Sequence, residues 1–326
     1  MRELLFGEPL VIGRGSDGHA FAFRDICPHR LAPLSAGVQS THEGNATIAC
    51  PYHGWEFGLS DGACKLIPAL TSDQSMDVSR FQLKKFRVRE QEGLVFLQYG
   101  DEEPATSLPP PIGLDLPRGP VRLALKTEFG SHIDHVAVGL MDPAHVGFVH
   151  NSWWWRPKRV GRHEKQKAVE PIDFGWTLAR HAPSSNSPAY RLLGRNVTTE
   201  IRFQLPGYRW EIIKGDRGKI VTLTCLTPRA DHRTQLVQLT WWEGLPLAGL
   251  LKPFLKRFGR RFLAQDQQIV ELQAANLPFE SRMLWIDDAD RQAKWYFTMK
   301  KEWSDSRSEG REFVNPVAAA ILRWQS

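Results

Sequence analysis

The stretches CPHR (residues 27–30) and CPYHGW (residues 50–55) decide how the first part of this chain is read. Cys27 and His29 in the first, with Cys50 and His53 in the second, supply two thiolates and two imidazoles from paired loops. Such a set can hold a two-iron two-sulfur cluster with both cysteines on one iron and both histidines on the other. Neutral imidazoles leave that cluster less negative than four thiolates would, which raises its potential into a range suited to relaying single electrons. A structural zinc ion is the competing reading, because Cys-x-His and Cys-x2-His pairs also make a tetrahedral N/S set. The neighbours favour the cluster. Pro28 and Pro51 follow the cysteines, Gly54 follows the second histidine, and Arg30 and Trp55 complete two near-parallel loops that bring backbone close to the sulfides.

Around these loops, AFAFRDI (20–26), ATIAC (46–50), WEFG (55–58) and FRVREQEGLVFLQYG (86–100) alternate apolar residues between glycine, asparagine and aspartate, which predicts an all-β module over 1–105. Twenty residues separate His29 from Cys50, and THEGN within them reads as an inserted loop tip. Residues 106–120 are rich in proline and poor in periodicity, as a semi-extended connector is. Over 121–326 a helical region at 131–150 precedes strand-like TTEIRFQL, RWEIIKG, KIVTLTCLTP and TQLVQLTWWEG, and a long helical pattern follows at 248–276. Phe254, Phe258 and Phe262 recur there at four-residue spacing and are expected in the core. Strands in a run with a long helix laid across them predict an α+β domain.

Composition is that of a folded two-domain protein: 326 residues, 42% apolar and 24% charged. Glu3 and Glu8 interrupt the amino terminus, and no apolar run approaches a membrane span, so a cytoplasmic location is the default expectation. Cys64 and Cys225 read as buried thiols without chemistry. A net charge of +6 and a pI near 9.2 are dispersed along the chain, without a nucleic-acid-binding signature. Lys252, Lys256, Arg257, Arg260 and Arg261 cluster on the long helix, as a solvated face or as a docking surface for an acidic electron donor.

In the two cluster loops the chain resembles the Rieske non-haem iron oxygenases, in their terminal, alpha-type component. Respiratory Rieske proteins carry an extra cysteine in each loop, and neither loop has one here. The resemblance implies a helix-grip fold for the second domain and a mononuclear ferrous site within it. In GLMDPAHVGFVHN (139–151), Asp142, His145 and His150 match the family's D-x2-H-x4-H pattern, whose histidines bind that iron. In FLAQDQQIVELQ (262–273), an amide followed by Asp matches the family's third ligand, here Asp266, with Glu271 in reserve. Two histidines and one carboxylate leave one side of the metal open to dioxygen and substrate. Asp142 is implied as the bridge between the cluster ligand His53 of one subunit and His145 of its neighbour, within a head-to-tail ring, commonly a trimer.

On a regular α-helix, five residues would set His145 and His150 about 140° apart. A π-type irregularity at 142–150, aided by Pro143, is therefore expected to converge them. The family often carries Asn three or four residues before the bridging Asp, where this chain has Gly139 and Val138. Cys27 lies nearer to Met1 than is usual, so a first strand is expected to be missing or the start misplaced. The chain carries no nucleotide-binding signature, so NAD(P)H electrons are expected through a separate ferredoxin or reductase. Its phrasing is closer to the monooxygenase and demethylase branch than to the ring-hydroxylating dioxygenases. Trp153, Trp154, Trp155, Trp241 and Trp242 are core residues or walls of a pocket for an apolar aromatic or cyclic substrate, and His132 and His135 are structural or pocket-lining. A Rieske electron carrier or redox sensor with a non-catalytic second site is the alternative class.

Overall fold

The computed structural model describes residues 1–91, 93–99, 119–150, 164–183 and 193–325. The chain divides into two compact units, Met1–Glu103 and Pro104–Ser326. Most of the expected connector at 106–120, and Trp153, Trp154 and Trp155, lie outside the described residues.

Unit 1 is all-β among its described residues. Strands β1 (Arg2–Leu5), β2 (Glu8–Arg14) and β3 (Ala20–Arg24) form one antiparallel sheet. A second holds β4 (Val38–His42), β5 (Asn45–Ala49), β6 (Glu56–Gly58) and β7 (Cys64–Leu66), and β8 (Arg87–Gln91) pairs with β9 (Leu94–Gln98). Two strands thus precede the hairpin partner that leads into the first ligand loop. THEGN is a tight hairpin: His42 pairs with Asn45, and Glu43 and Gly44 both take positive φ (48° and 78°). That is the type I′ geometry whose twist matches the flanking strands. Phe6 and Gly7 repeat it between β1 and β2. The core gathers Val11, Phe23, Leu34, Phe57 and Leu83 around buried Cys27, Cys50 and Cys64.

Unit 2 is built on one eight-stranded antiparallel sheet. Its strands are β10 (Leu123–Phe129), β11 (Glu164–Ile172), β12 (Gly175–His181), β13 (Thr198–Gln204), β14 (Tyr208–Lys214), β15 (Lys219–Ala230), β16 (Arg233–Glu243) and β17 (Ala320–Gln325). They lie in the order β10-β16-β15-β14-β13-β12-β11-β17. Among the described residues, four α-helices accompany it: α1 (Ile133–Met141), α2 (Val146–Val149), the 25-residue α3 (Lys252–Asn276) and α4 (Arg291–Ser308). This is the expected α+β helix-grip arrangement, with α3 lying over β10. Pro253 at the first turn of α3 gives up an N–H that had no helical partner there.

The fit of α3 to the sheet depends on a glycine. A Cβ at Gly259 would sit 2.5 Å from Leu125 Cδ1 on β10. Further along, Glu271 accepts from Gly130 N–H (2.8 Å) and from Gln267 Nε2 (2.9 Å), and Gln267 Nε2 also donates to the Glu128 carbonyl (3.0 Å). Glu271 is therefore a tether between α3 and the end of β10, and the carboxylate that α3 brings to the two histidines described below is that of Asp266. Leu263 and Val270 are the buried residues of α3, whereas Phe254 is exposed and Phe258 and Phe262 are half-buried. The expected phenylalanine core face is thus incorrect, since Phe258 and Phe262 face a cavity.

Helix α4 is tied to α1 through Asp134, which accepts from the Tyr296 hydroxyl (2.8 Å) and pairs with Lys300. Trp176 Nε1 donates to Gln292 Oε1 (3.0 Å) in the same core. Trp241 and Trp242 are buried on β16, and His132 caps α1 by accepting from Asp134 N–H at 3.3 Å. Cys64 and Cys225 are buried and burial raises both thiols, Cys225 to about 12, as inert core residues behave. Among the described residues, no helix is long and apolar enough to cross a membrane.

Candidate metal centres

The two ligand loops of unit 1 repeat one backbone scheme. Cys27 N–H donates to the Ala32 carbonyl (2.9 Å), and Cys50 N–H to that of Trp55 (2.8 Å), in each case five residues on. The carbonyls of the cysteines accept from Leu31 N–H (2.9 Å) and Gly54 N–H (3.1 Å), four residues on. Both fourth residues are left-handed, Leu31 at φ 61° and Gly54 at φ 69°. A Cβ on Gly54 would also come within 3.2 Å of Pro68 Cγ.

This scheme buries Cys27 and Cys50 and leaves His29 exposed and His53 half-exposed. The imidazoles face each other at 4.7 Å between ring centroids, Trp55 stacks on His29 at 4.7 Å, and Tyr52 lies 3.8 Å from His53. His53 Nδ1 is buried without a hydrogen-bond partner. Burial is the main cause that raises the Cys27 thiol, to about 11, with the neighbouring Cys50 adding to it, while the N–H groups of His29 and Arg30 point at its sulfur and lower it. Paired buried sulfurs with N–H donors, opposite paired imidazoles with an orphaned nitrogen, fit an asymmetrically ligated iron-sulfur cluster.

The first loop has a brace that its sequence does not advertise. Asp25 is buried two residues before Cys27, where it accepts from Ser35 N–H (2.7 Å) and Ser35 Oγ (2.6 Å) and pairs with Arg2 Nε (3.3 Å). It pins the far side of the loop to its start.

In unit 2 the histidine pair converges by a different route from the one expected. α1 ends at Met141, Asp142 is extended (φ −64°, ψ 117°), and its Oδ1 accepts from Ala144 N–H at 2.7 Å. His145 then caps the single turn of α2, and His150 ends it at φ −89°, ψ 89°. The helix is interrupted around Pro143 and no π-turn forms. The break lets the rings meet at 5.4 Å between centroids.

Asp266 Oδ1 on α3 lies 3.5 Å from His145 Nε2 and 3.3 Å from His150 Nε2. One ligand atom from each of these three residues falls within 4.8 Å of the others, and among the described residues this is the one such group of three or more. Ligand atoms about 2.1 Å from a shared ion stand a little over 3 Å apart, which these separations match. His150 is fully buried, and its Nε2 has no hydrogen-bond partner. Its Nδ1 lies 3.2 Å from Gln265 Oε1; with the amide oxygen accepting, the ring proton sits on Nδ1 and the Nε2 lone pair is free. Phe262 stacks on the same ring at 3.6 Å. The sequence drew attention to Gln265 only as the amide before Asp266, and to Phe262 only as core.

Asp142 Oδ2 faces His145 Nδ1 at 3.7 Å, an ion-pair distance beyond hydrogen-bond range. Burial opposes charge on His145, but Asp142 and Asp266 together outweigh it and raise the ring to about 9. Burial lowers His150 despite the Asp266 charge. The two carboxylates therefore favour positive charge at the His145 ring. Beside the trio lies a cavity of about 440 Å³, which reaches from Asp142, His145, His150 and Asp266 past Phe258 and Phe262 to Trp324. A smaller one of about 270 Å³ shares Asp142, His145 and Asp266 in its lining and reaches Trp285.

A family model, Rieske [2Fe-2S] domain, matches residues 2–87. Methylxanthine N3-demethylase NdmB of Pseudomonas putida is 30% identical over 332 residues, which cover 98% of this chain and 87% of that protein. Chlorophyllide a oxygenase of Arabidopsis thaliana is 39% identical over 150 residues, 45% of this chain, and the match spans only 25% of that longer protein. Among solved structures, Pseudomonas putida CBB5 NdmB superposes with TM-score 0.74 at 23% identity, covering 98% of this chain and 90% of that one. Dicamba monooxygenase bound to dicamba gives TM-score 0.71 at 19% identity, covering 95% and 93%, so both structures share the fold. With a family domain over the cluster loops and a relative aligned along nearly its whole length, the chain belongs to the Rieske non-haem iron oxygenases.

Proposed function

We propose that this chain is the terminal oxygenase of a Rieske electron-transfer system. In this reading residues 1–105 are the cluster domain, 106–120 the connector and 121–326 the catalytic domain. Cys27, His29, Cys50 and His53 hold the two-iron two-sulfur cluster, and His145, His150 and Asp266 hold the ferrous ion. When bound, these groups supply single-electron relay and activation of dioxygen. The chain's own residues set the conditions. Gln265 fixes the His150 tautomer, Phe262 holds its plane, and Asp142, with Oδ1 on Ala144 N–H and Oδ2 toward His145, orients His145 and uses a remaining lone pair to reach His53 of a neighbouring subunit in a trimer.

The observation that carries the reading is the open-sided trio beside a large cavity, in a chain that also has the cluster loops. The proposed reaction is monooxygenation or demethylation of a small molecule with an apolar body, with cis-dihydroxylation as the other outcome. Electrons come from a cytoplasmic NAD(P)H-dependent reductase, directly or through a ferredoxin. Metal analysis tests it: Asp266→Ala should lose about one iron in three while keeping all acid-labile sulfide and the reduced-cluster paramagnetic signal. Native protein should show substrate-dependent oxygen uptake with reductase present. Full iron content in the Asp266→Ala protein would overturn the ligand assignment, and oxygen uptake indifferent to every candidate substrate would favour an electron carrier.

A further inference from the structure

The large cavity beside the trio has a floor on the sheet. Thr199, Ile201 and Phe203 are alternate residues of β13 and all line it, so the pleat of the strand turns their side chains to that face. His181 lines it from β12 and is the register partner of Thr199. The two side chains are therefore neighbours on one face, at the point where the β12–β13 register shifts.

Other polar side chains of this floor meet one another. Arg209 donates to Glu211 at 3.1 Å, Gln238 to Thr224 at 3.4 Å, and Gln292 accepts from Trp176 at 3.0 Å. Thr199 does not: it is 4% exposed, and its Oγ1 is buried without a hydrogen-bond partner. An unmet buried hydroxyl is a standing cost to the fold, which a ligand can remove. His181 supplies the complement. Its Nδ1 lies 2.8 Å from the Ala179 carbonyl, which can only accept, so the ring proton sits on Nδ1 and Nε2 offers a lone pair. Burial lowers this ring from the ordinary histidine value, which holds it in that neutral form. A donor and an acceptor thus stand side by side. Trp324 Nε1 is another buried lining atom without a partner, but it is a donor only, on a strand three places from β13, and is not part of this pair.

We propose that Thr199 and His181 are specificity determinants that receive one protic group of the substrate, a neutral hydroxyl that accepts from Thr199 Oγ1 and donates to His181 Nε2. The substrate class is then a hydroxylated ring molecule, whose apolar body fills the cavity toward His145, His150 and Asp266. This deepens the oxygenase reading and rests on it for the word substrate, but the recognition itself is a binding property.

Calorimetric titration of the cluster-loaded, iron-loaded protein with 2-naphthol and with 2-methylnaphthalene, in which a methyl of similar volume replaces the hydroxyl, tests the proposal. The naphthol should bind at least about tenfold more tightly, because the methyl leaves both polar groups unmet. Thr199→Val and His181→Phe should each cut the preference to about threefold or less. Thr199→Ser should retain it, as should His181→Gln, whose amide oxygen can accept. A second readout needs no ligand and separates recognition from a structural role. Thr199→Val removes an unmet hydroxyl at nearly constant shape, so it should raise the melting temperature of the ligand-free protein by about 2–4 °C. A fall would show that the hydroxyl holds the fold, and overturns the proposal. Naphthol that binds no more tightly than its methyl analogue, or a preference that survives Thr199→Val and His181→Phe together, also overturns it. A naphthol oxygen could bind the iron directly, so the titration is repeated on Asp266→Ala protein. Preference retained there supports the Thr199–His181 site, and preference lost there assigns the hydroxyl to the metal and overturns it. Oxygen uptake reports separately on the oxygenase reading.

Discussion

Leu31 and Gly54 occupy equivalent positions in the two cluster loops, yet only one is glycine. A left-handed non-glycine residue costs about 1–2 kcal/mol, a cost that Leu31 bears and Gly54 avoids. Leu31→Gly should change thermal stability little, because relief of that strain is offset by greater freedom of the unfolded chain. Gly54→Ala should lower stability by about 1–2 kcal/mol, with the Pro68 contact adding to the strain, and should shed sulfide on dialysis. Melting temperature and sulfide retention distinguish the pair. At the metal trio, Gln265→Leu removes the acceptor that fixes the His150 tautomer, and iron affinity should fall about 10-fold to 100-fold in a chelator competition while sulfide content stays constant.

Among elements, α3 carries most of the site's precision. It brings Asp266, Gln265 and Phe262 to the histidines and is seated by the gap at Gly259. Gly259→Ala places a methyl against Leu125 and should cost about 1–3 kcal/mol. Because the helix must shift, iron occupancy should drop along with the melting temperature; a fall in stability with full occupancy would show that α3 is not the positioning element. The existence of α3 was legible from helical periodicity, but its faces were not. Phenylalanines at four-residue spacing mark an apolar stripe without saying whether the stripe meets a sheet or a cavity, and here Leu263 and Val270 meet the core. The histidine segment illustrates the same limit. Spacing showed that a regular helix could not converge His145 and His150, yet a π-turn and a broken helix satisfy that requirement equally. Pro143 and the Asp142 side chain selected the break. The ligand loops were readable because their chemistry is local, whereas Asp25 acts through Ser35 ten residues away and left no sequence mark.

For the molecule as a whole, protonation of the trio links folding, metal content and pH. His145 is raised from 6.5 to about 9 in the iron-free fold, so its contribution to stability is fully present below pH 6.5 and is lost as pH rises through about 9. His150, lowered by burial, acts in the opposite sense: its contribution is present above pH 6.5 and is lost as pH falls through its lowered value. Near pH 7.5 the iron-free site therefore carries one proton, on His145. Ferrous ion binding should release about one proton there, measured as the dependence of binding heat on buffer ionisation enthalpy, and apparent affinity should weaken as pH falls. Iron-free protein should lose stability between pH 6.5 and 9 relative to its Asp142→Asn variant, whereas iron-loaded protein should not show that slope. A binding heat independent of buffer would mean that His145 is already neutral.

The one-turn helix between His145 and His150 also sets what sequence drift this segment can survive. Each residue inserted into or removed from Val146–Val149 would swing His150 by about 100° around its axis, away from Asp266, so the length of that turn is frozen even where its side chains are free to vary. The β4–β5 hairpin tip has no such restriction, and length variation among kindred chains should accumulate there and spare the turn between the histidines.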